Sequence, residues 1–443
     1  MATEPRIAHH FDAEERDQFI PVRKIDIIDA LIASGRLEGE TSQESFRRFC
    51  QLLGAIFHYE FFETLEALRE DYYYFNPEME VNGRFTPEMR ERARADLGEK
   101  LGKVLADANY VAVPLDEVTQ TATGGQFVRV AVDTPLDDYR EVTFFRRGHH
   151  KEKAELRKWF GLRKQTEERW VYDNVVLSVV IKSEQELTPK QRRRLDRNHF
   201  RPGSILIKYF RNIAPGELKM LLPRVRVVMS LFDKLTIAVP ALAGAVPLII
   251  NLLPLLTVLF LVGGFYLGLN ANVRHEDVLK AFVALTFVAG LGGLVMRQRL
   301  KYERLSLKYQ KEIADHFYFR NVSNNAGIFE YIVGTAEEQE CKEALLAYYF
   351  LLTAGAPLDQ DTLDDQIEKW LEKEFHIDVD FEVDDGLRKL ERLALLRRDG
   401  DRLGVVPLDE ALVALDSRWD NIFVYANRAA AEAGRRGGLA SVK

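Results

Sequence analysis

Residues 235–273 read LTIAVPALAGAVPLIINLLPLLTVLFLVGGFYLGLNANV, and none of them is charged. A short polar turn follows at residues 274–277, and a second apolar run, VLKAFVALTFVAGLGGLVM, occupies residues 278–296. A helix needs about 20 mostly apolar residues to cross the hydrocarbon core of a bilayer. The two runs therefore predict a transmembrane helical hairpin, with spans at about residues 253–269 and 278–296.

The first run is too long for one straight span and carries Pro240, Pro247 and Pro254. Each proline removes a helical hydrogen bond and favours a kink. Residues 235–250 are therefore interpreted as a Pro-rich lead-in, either re-entrant or interfacial, or as the lower half of a kinked helix. A third full span through these residues stays open. We take residues 235–297 as the membrane segment.

The charges that flank the hairpin indicate its orientation. Basic side chains precede it and follow it, at Arg224, Arg226, Lys234, Arg297, Arg299, Lys301, Arg304 and Lys308. By the positive-inside rule, both soluble flanks and both termini are expected on the cytoplasmic side. The N-terminal residues resemble neither a secretory signal nor a transit peptide. The expected location is a bacterial inner membrane.

The net charge of -7 conceals a basic block beside the membrane segment. Residues 1–143 carry net -12, whereas residues 144–234 carry net +12. Juxtamembrane cations are attracted to anionic headgroups by about 1 kcal/mol each. We predict anionic lipids as partners of Arg192, Arg193, Arg194, Arg197, Arg201, Arg224 and Arg226. A solvated face that only obeys the positive-inside rule is the alternative.

The fold class predicted for the whole chain is an α+β integral membrane protein. Apolar stripes at helical spacing predict a helical module at residues 1–110. Runs of β-branched and aromatic residues predict a mostly antiparallel α+β module at residues 111–234. A helix at residues 151–160 is expected between its strands. A charged helix and connector, residues 298–333, should follow the hairpin.

Residues 334–425 show three helical patterns and then a hairpin with Asp399-Gly400 at its turn, which is the order of a winged helix. A flexible tail is expected at residues 426–443. The third helix is entered through an acidic run, so nucleic acid is disfavoured as a partner. We predict that this run binds a protein, either an unidentified partner or this chain's own basic block, through Asp378, Asp380, Glu382, Asp384 and Asp385.

Pairs of small residues occur in both predicted spans, at Gly264 and Gly268 and at Ala289 and Gly293. Small residues four apart allow helices to approach closely in lipid. The pairs predict helix packing and self-association of the hairpins.

The sequence lacks the common nucleotide-binding, hydrolase and metalloprotease motifs. The two cysteines, Cys50 and Cys341, provide neither a disulfide framework nor a zinc-site spacing. We predict no catalytic residue, no cofactor and no metal site.

Several stretches resemble the transmembrane protein 143-like family. They are FIPVRKID (19–26), FHYEFF (57–62), YYFNP (73–77), WFGLRK (159–164), IKYFRNI (207–213), DKL (233–235), AEEQECKEALLAYYF (336–350), VDFEVDD (379–385) and WDN (419–421). The resemblance implies a two-pass membrane protein of unknown function and supplies no catalytic residues.

These observations favour a two-pass membrane-anchored scaffold or regulatory protein with cytoplasmic interaction modules. A homo-oligomeric channel or transport component built from the hairpins is the alternative. An enzyme that acts on lipid ranks third, because the sequence offers no nucleophile or acid pair for it.

Overall fold

The computed structural model describes residues 16–79, 86–120, 131–133, 136–158, 163–196, 200–223, 225–228, 231–268 and 274–423. The helices are α1 Lys24–Ala33, α2 Glu40–Tyr73, α3 Pro87–Asp107, α4 Leu115–Gln120, α5 Pro189–Asp196, α6 Leu231–Tyr266, α7 His275–Tyr318, α8 Gly327–Thr353, α9 Gln360–Phe375, α10 Val383–Arg392 and α11 Leu408–Asp420. The strands are β1 Val111–Val113, β2 Ala131–Asp133, β3 Tyr139–Lys158, β4 Arg163–Ile181, β5 Ile205–Ile213, β6 Arg226–Val228, β7 Asn321–Asn324, β8 Leu396–Asp399 and β9 Arg402–Val405. The predicted mixed α+β composition is confirmed.

The chain forms two compact units. Unit 1 comprises Met1–Gln120, Asp137–Ile213 and Asn321–Lys443, and unit 2 comprises Thr121–Leu136 and Ala214–Arg320. Unit 1 holds a five-stranded sheet and most of the helices, whereas unit 2 holds α6 and α7.

Helices α2 and α8 form the centre of unit 1. Phe46, Phe49 and Phe57 of α2 are fully buried at helical spacing. The ring of Phe49 stacks on that of Tyr348 in α8, with centroids 4.2 Å apart. Burying an aromatic side chain of this kind stabilises a fold by about 1.5–3 kcal/mol. The α2–α8 pair therefore joins residues that lie roughly 300 positions apart in sequence.

The N-terminal stretch is also bound to α8. Lys342 is buried, and its Nζ donates to the carbonyl oxygens of Ile20 at 2.7 Å and Val22 at 3.1 Å. Burial lowers the pKa of Lys342 to about 8. The helices of residues 1–110 and of residues 334–425 thus share one hydrophobic core. The predicted boundaries between modules stay a prediction.

The sheet of unit 1 is antiparallel, with the strand order β1-β3-β4-β5-β7. The predicted helix at residues 151–160 is wrong in the described part, because β3 continues to Lys158 and pairs with β4 along its length. Residues 151–158 are rich in good helix formers, so their composition favours a helix. Cross-strand pairing overrides that propensity.

The C-terminal elements of unit 1 follow the predicted order. Helices α8, α9 and α10 precede the β8–β9 hairpin, and α11 follows it. Gly400 has a φ of 59°, a left-handed conformation that favours glycine at a tight hairpin turn. Helix α10 begins at Val383, so Asp384 and Asp385 lie in its first turn. The winged-helix assignment itself stays a prediction.

In unit 2, α6 is one helix that continues through Pro240, Pro247 and Pro254. The lead-in at residues 235–250 is therefore the lower half of this helix and not a separate re-entrant segment. Helix α7 is 44 residues long and runs from the second apolar run into the charged residues after it. The predicted charged helix at the start of residues 298–333 is thus the second half of α7.

Helices α6 and α7 pack as an antiparallel pair. An added Cβ on Gly244 would lie 3.3 Å from Leu294, and one on Gly290 would lie 3.8 Å from Leu248. Ala281 and Ala284 are buried in α7. Small residues therefore face the partner helix at this contact.

Candidate functional site

Unit 1 contains a cleft of about 530 Å³ between α2, α3, α8 and α10. Phe57, Phe61 and Val104 form its apolar wall. Most of its other lining side chains are charged: Glu60, Glu63, Lys103, Asp107, Glu340, Asp385, Arg388, Lys389 and Arg392. A concave surface with several buried ionisable groups is the usual setting of a binding site.

Lys389 of α10 lies buried at the cleft. Its Nζ is 2.9 Å from Glu340 Oε1 and also contacts the carboxylate of Glu343, both on α8. Gln339 Nε2 donates to Glu343 Oε1 at 2.6 Å. Burial alone would lower the pKa of Lys389, but Glu343 and Glu340 outweigh burial and raise it. The ammonium group therefore stays charged and couples α10 to α8.

The ammonium group of Lys389 contacts two carboxylates, Glu340 and Glu343, and Asp107 of α3 lies close enough to act on Glu340. Burial raises the pKa of Glu340 to about 7, with Glu343 and Asp107 adding to the shift and Lys389 opposing it. Burial also raises the pKa of Asp107 in α3. A carboxyl group that titrates near neutral pH in a cleft is suited to exchange a proton or to bind a cation.

The carboxylate oxygens of Glu340, Glu343 and Asp385 lie within 4.8 Å of one another. That spacing suits a shared cation, and Lys389 Nζ already contacts two of the three groups. The ammonium supplies the charge that a metal ion would supply. The donor set therefore fits an internal ion-pair cluster better than a metal centre.

The cluster depends on a close approach of α10 to α8. A Cβ added to Gly386 would lie 3.0 Å from the carbonyl oxygen of Glu343 and 3.1 Å from the Cβ of Ala347. Only glycine fits this contact without displacement of the backbone. Gly386 is thus a positioning residue for Lys389, three residues further along α10.

The five acidic residues predicted to bind a protein lie around the start of α10. Arg16 Nη1 is 2.8 Å from Glu368 Oε2 and 3.5 Å from Asp378 Oδ1, and its Nη2 is 3.4 Å from Asp380 Oδ1. The backbone N–H of Asp380 donates to the carbonyl oxygen of Asp17 at 3.0 Å. The chain's own N-terminal stretch therefore occupies part of this acidic surface.

The other three acids have partners from different elements. Glu382 accepts from Asn109 Nδ2 at 3.1 Å, and Asp384 accepts from Gln360 Nε2 at 2.8 Å. Asp385 contacts Arg388 one helical turn away. The structure thus brings all five acids together on unit 1, and their role in binding a partner stays a prediction.

The predicted lipid-facing arginines are divided between ion pairs and exposed positions. Arg194 Nη2 is 2.7 Å from Asp138 Oδ1, whose side chain is fully buried, and Arg192 contacts Glu184. Arg201 Nη1 donates to the carbonyl oxygen of Met79 at 3.2 Å, and Arg193 is exposed on α5. Arg197, Arg224 and the side chain of Arg226 lie outside the described residues. Arg194 therefore forms an ion pair with a buried carboxylate inside unit 1.

The residues predicted to pack the hairpin helices lie in or next to α6 and α7. Ala289 and Gly293 are exposed on α7, and a Cβ on Gly293 would meet nothing within 4 Å. Gly268 follows the end of α6 with a φ of 77°, and Gly264 lies within α6. Ala289 and Gly293 thus face away from the partner helix of the same chain.

Unit 2 has its own buried ion pair at the end of α7. Glu217 of the 3-10 helix Pro215–Leu221 is fully buried, His316 Nε2 lies 3.2 Å from its carboxylate, and Arg320 Nη1 lies 3.5 Å from it. A charged partner is needed because an unpaired buried carboxylate is costly. The pair fixes the end of α7 against the residues that precede α6.

No motif in the sequence identifies Glu340, Glu343, Lys389 and Asp107 as a cluster. A signal was present in α8, where residues 337–343 read EEQECKE between apolar stretches. Gln339, Lys342 and Glu343 lie on faces that are buried by α1, α2 and α10. Charged residues inside a long, otherwise apolar helix indicate buried partners from other elements.

Residues 172–327 match the family model DUF3754, described as a protein of unknown function. The matched residues run from β4 through α6 and α7 to the first residue of α8, and they exclude Glu340 and Lys389. No solved structure matches the chain.

Proposed function

We propose that this chain is a two-pass membrane-anchored scaffold or regulatory protein, in which α6 and α7 cross a bilayer. The observation that carries the proposal is the apolar surface of these helices. Two helices are long and apolar enough to cross a membrane, Ala238–Tyr266 and His275–Tyr318, and only 11% of the most apolar window of each is buried. A core helix of a soluble protein would be mostly buried.

The exposed side chains on these helices are large. Phe260 is 76% exposed and Leu279 is 71% exposed. Exposing apolar surface to water costs about 25 cal/mol per Å², so a continuous apolar pair of helices requires a cover. A bilayer provides that cover along the apolar part of both helices.

The helix lengths agree with a bilayer. At 1.5 Å per residue, Ala238–Tyr266 spans about 43 Å, which exceeds a hydrocarbon core of about 30 Å and leaves room for tilt. Residues 278–296 of α7 span about 28 Å and carry one cation, Lys280, near their start; further cations begin directly after them at Arg297. The change from apolar to basic residues within one helix is typical of a membrane boundary.

The proposed orientation follows from the flanking charges. The basic flanks put both termini on the cytoplasmic side, and a bacterial inner membrane is the proposed location. The resemblance to the transmembrane protein 143-like family supports a two-pass topology.

The polar side chains of the hairpin favour an anchor over a pore. Asn251 Nδ2 donates to the carbonyl oxygen of Pro247 at 2.8 Å, Thr257 Oγ1 to that of Pro254 at 3.3 Å, and Thr286 Oγ1 to that of Phe282 at 3.0 Å. Each of these polar side chains therefore forms a hydrogen bond within its own helix, whereas the polar side chains of a pore lining face water. The outward positions of Ala289 and Gly293 support self-association of hairpins.

Unit 1 supplies the proposed binding function. The elements from α8 to α11 are proposed to form a winged-helix-like module. The acidic residues at the start of α10 are proposed as the surface on which this module binds a basic protein. Arg16 supports this role, because a guanidinium group already binds Glu368, Asp378 and Asp380 there. Complementary charge of this kind gives specificity and a fast association rate.

Alkaline carbonate extraction of membranes tests the anchor. The test variant is Leu253→Asp with Phe260→Asp on α6, and the control is Val413→Asp with Phe423→Asp, an equally exposed apolar pair in unit 1. Each aspartate in a span costs about 3 kcal/mol of insertion, so only the α6 variant should leave the membrane pellet. Release of the unmodified chain by carbonate contradicts the proposal.

A further inference from the structure

The N-terminal stretch is held by buried contacts at one end and by exposed contacts at the other. Ile20 is fully buried, its N–H donates to Gln339 Oε1 at 3.1 Å, and Lys342 Nζ donates to its carbonyl oxygen. Arg16 and Asp17 lie at the surface, with side chains 41% and 33% exposed. The end of the stretch that carries Arg16 and Asp17 is therefore held by contacts that water can replace.

Asp17 pairs through its backbone with the segment that connects α9 to α10. Asp17 and Val379 form an isolated parallel β-bridge, and the Asp380 N–H donates to the Asp17 carbonyl oxygen at 3.0 Å. Val379 and Phe381 are buried, whereas Asp378 is exposed and Asp380 is half-buried. This alternation is typical of a strand with one face on the core. The segment therefore presents a strand edge, which Asp17 occupies.

Arg16 supplies the side-chain contacts at this edge. Its guanidinium nitrogens lie 2.8 Å and 3.2 Å from the two carboxylate oxygens of Glu368 and 3.4 Å from Asp380 Oδ1. The side chains of Asp378 and Asp380 are 76% and 46% exposed, so both carboxylates face water. Ion pairs between exposed groups add little stability, because water and salt screen them. A cation from another protein can therefore replace Arg16 at small cost.

The charges of the N-terminal stretch match this surface poorly. Residues 14–17 read EERD, so three carboxylates accompany one guanidinium group. The surface also carries excess negative charge. Burial raises the pKa of Asp364 to about 6, and Glu368 and Asp380 add to the shift while Arg16 opposes it. An extended segment with several cations and no acids is therefore attracted more strongly than residues 14–17.

We infer that Arg16 and Asp17 form an autoinhibitory segment, which occupies the strand edge at Val379 where an extended, cation-rich segment of a partner protein binds. The inference rests on the proposed function, in which the acidic surface binds a basic protein. The partner's segment replaces Asp17 in the backbone pairing and places its cations against the carboxylates that now bind Arg16. Addition of a strand to an exposed edge is a common mode of peptide recognition. Partner binding therefore requires release of the autoinhibitory segment.

The test uses the full-length chain in micelles of a non-ionic detergent and a fluorescent hexapeptide of alternating arginine and valine. The alternation puts all arginines on one face of a strand. A matched peptide with glutamine in place of arginine carries no charge. Fluorescence anisotropy measures the affinity. A photo-crosslinking group on the peptide, followed by mass spectrometry, locates the peptide on the chain.

Two variants release the autoinhibitory segment with opposite changes of charge. Arg16→Ala removes the cation that binds Glu368, and Asp17→Ala removes the carboxylate that accepts from the His149 N–H at 3.3 Å. Each should tighten binding of the arginine peptide about fivefold, because the strand edge is free in a larger fraction of molecules. Asp17→Ala is the sharper test, since the loss of an acid by itself weakens the attraction for a cation. Crosslinks should fall on residues 377–382.

The control variants are Arg47→Ala and Asp29→Ala, the two members of an exposed ion pair between α2 and α1. They make the same two changes of charge outside the strand edge and should leave the affinity unchanged. Asp378→Asn with Asp380→Asn removes two carboxylates of the edge and should abolish binding of the arginine peptide. The glutamine peptide should bind to none of these proteins.

The outcomes that overturn the inference are distinct from failure of the proposed function. If Asp17→Ala weakens binding or leaves it unchanged, the acidic surface binds a cation without autoinhibition, and only the inference fails. Crosslinks confined to residues 384 and 385 likewise retain the acidic surface and exclude the strand edge. If the arginine peptide binds neither the unmodified chain nor any variant, the proposed function fails at this surface and the inference fails with it.

Discussion

Lys389 Nζ lies 2.9 Å from Glu340 Oε1, across the contact between α10 and α8. The same ammonium group contacts Glu343, 46 residues away in sequence. Removal of one partner from a buried ion pair leaves an uncompensated charge, which is more damaging than the loss of an exposed pair.

Lys389→Met should destabilise unit 1 by about 3–5 kcal/mol at neutral pH, because buried carboxylates lose their ammonium partner. Lys369→Met is the control, since Lys369 and Asp365 form an exposed pair one helical turn apart that is worth less than about 1 kcal/mol. Thermal unfolding of both variants, followed by intrinsic fluorescence, measures the difference. Equal and small shifts in Tm would refute a structural role for the cluster.

Glu340→Gln should flatten the dependence of stability on pH. The pKa of Glu340 is about 7 in the fold, mainly through burial, and about 4.3 in an unfolded chain. The folded state therefore holds this proton more tightly, and the stability it contributes is lost as pH rises from about 4 to 7. Tm at pH 5 and pH 8 should differ less in the variant than in the unmodified chain.

Glu410→Gln is the control for that measurement, because Glu410 is exposed and pairs with Arg397 at 2.5 Å. Its pH dependence should follow that of the unmodified chain. A Glu340→Gln variant whose Tm falls with pH as steeply as the control would show that Glu340 is ionised throughout.

Gly386→Ala should destabilise unit 1 by about 1–3 kcal/mol, because the added methyl meets the Glu343 carbonyl oxygen at 3.0 Å. Gly334→Ala on α8 is a matched control, since a Cβ there meets nothing within 4 Å. Alanine is a better helix former than glycine, so the control should gain roughly 0.5–1 kcal/mol. Denaturant unfolding distinguishes the two, and a stabilising Gly386→Ala would mean that the helices can separate without cost.

Arg16→Ala should release the N-terminal stretch from the acidic surface near α10. Hydrogen exchange of the Asp380 amide, which donates to the Asp17 carbonyl, should rise in the variant. Arg23→Ala removes an exposed arginine that pairs only locally with Asp26 in the described contacts, and should leave that amide protected. Unchanged exchange in Arg16→Ala would show that the backbone bond holds without the guanidinium.

Local signals in the sequence predict much of the helical fold. A threonine before a proline is a local helix-start signal, and at the start of α3 Thr86 Oγ1 accepts from the Met89 N–H at 3.3 Å. Asp399-Gly400 predicts the β8–β9 turn. The apolar runs at residues 235–273 and 278–296 predict α6 and α7, although α6 begins earlier, at Leu231, and α7 continues to Tyr318. These features depend on residues that lie close together in the chain.

Contacts between residues that lie far apart in the chain could not be predicted from the sequence. Residues 151–158 have the composition of a helix, and only the partner strand makes them extended. Lys342 reaches Ile20 across 322 positions, so no local pattern reveals why a lysine is buried there. The same limit applies to Asp107, Glu340 and Lys389, which come from three separate helices. Neither hydrophobic periodicity nor sequence motifs could therefore predict the cleft.

Cysteine accessibility in spheroplasts tests the membrane hairpin most directly. Single cysteines are placed near residue 20, at Arg274 and near residue 420, with the buried Cys50 and Cys341 as an internal background. The account predicts that an impermeant thiol reagent labels Arg274→Cys from outside, and the two terminal positions only after lysis. Labelling of all three positions from the same side of the membrane would contradict a two-pass hairpin.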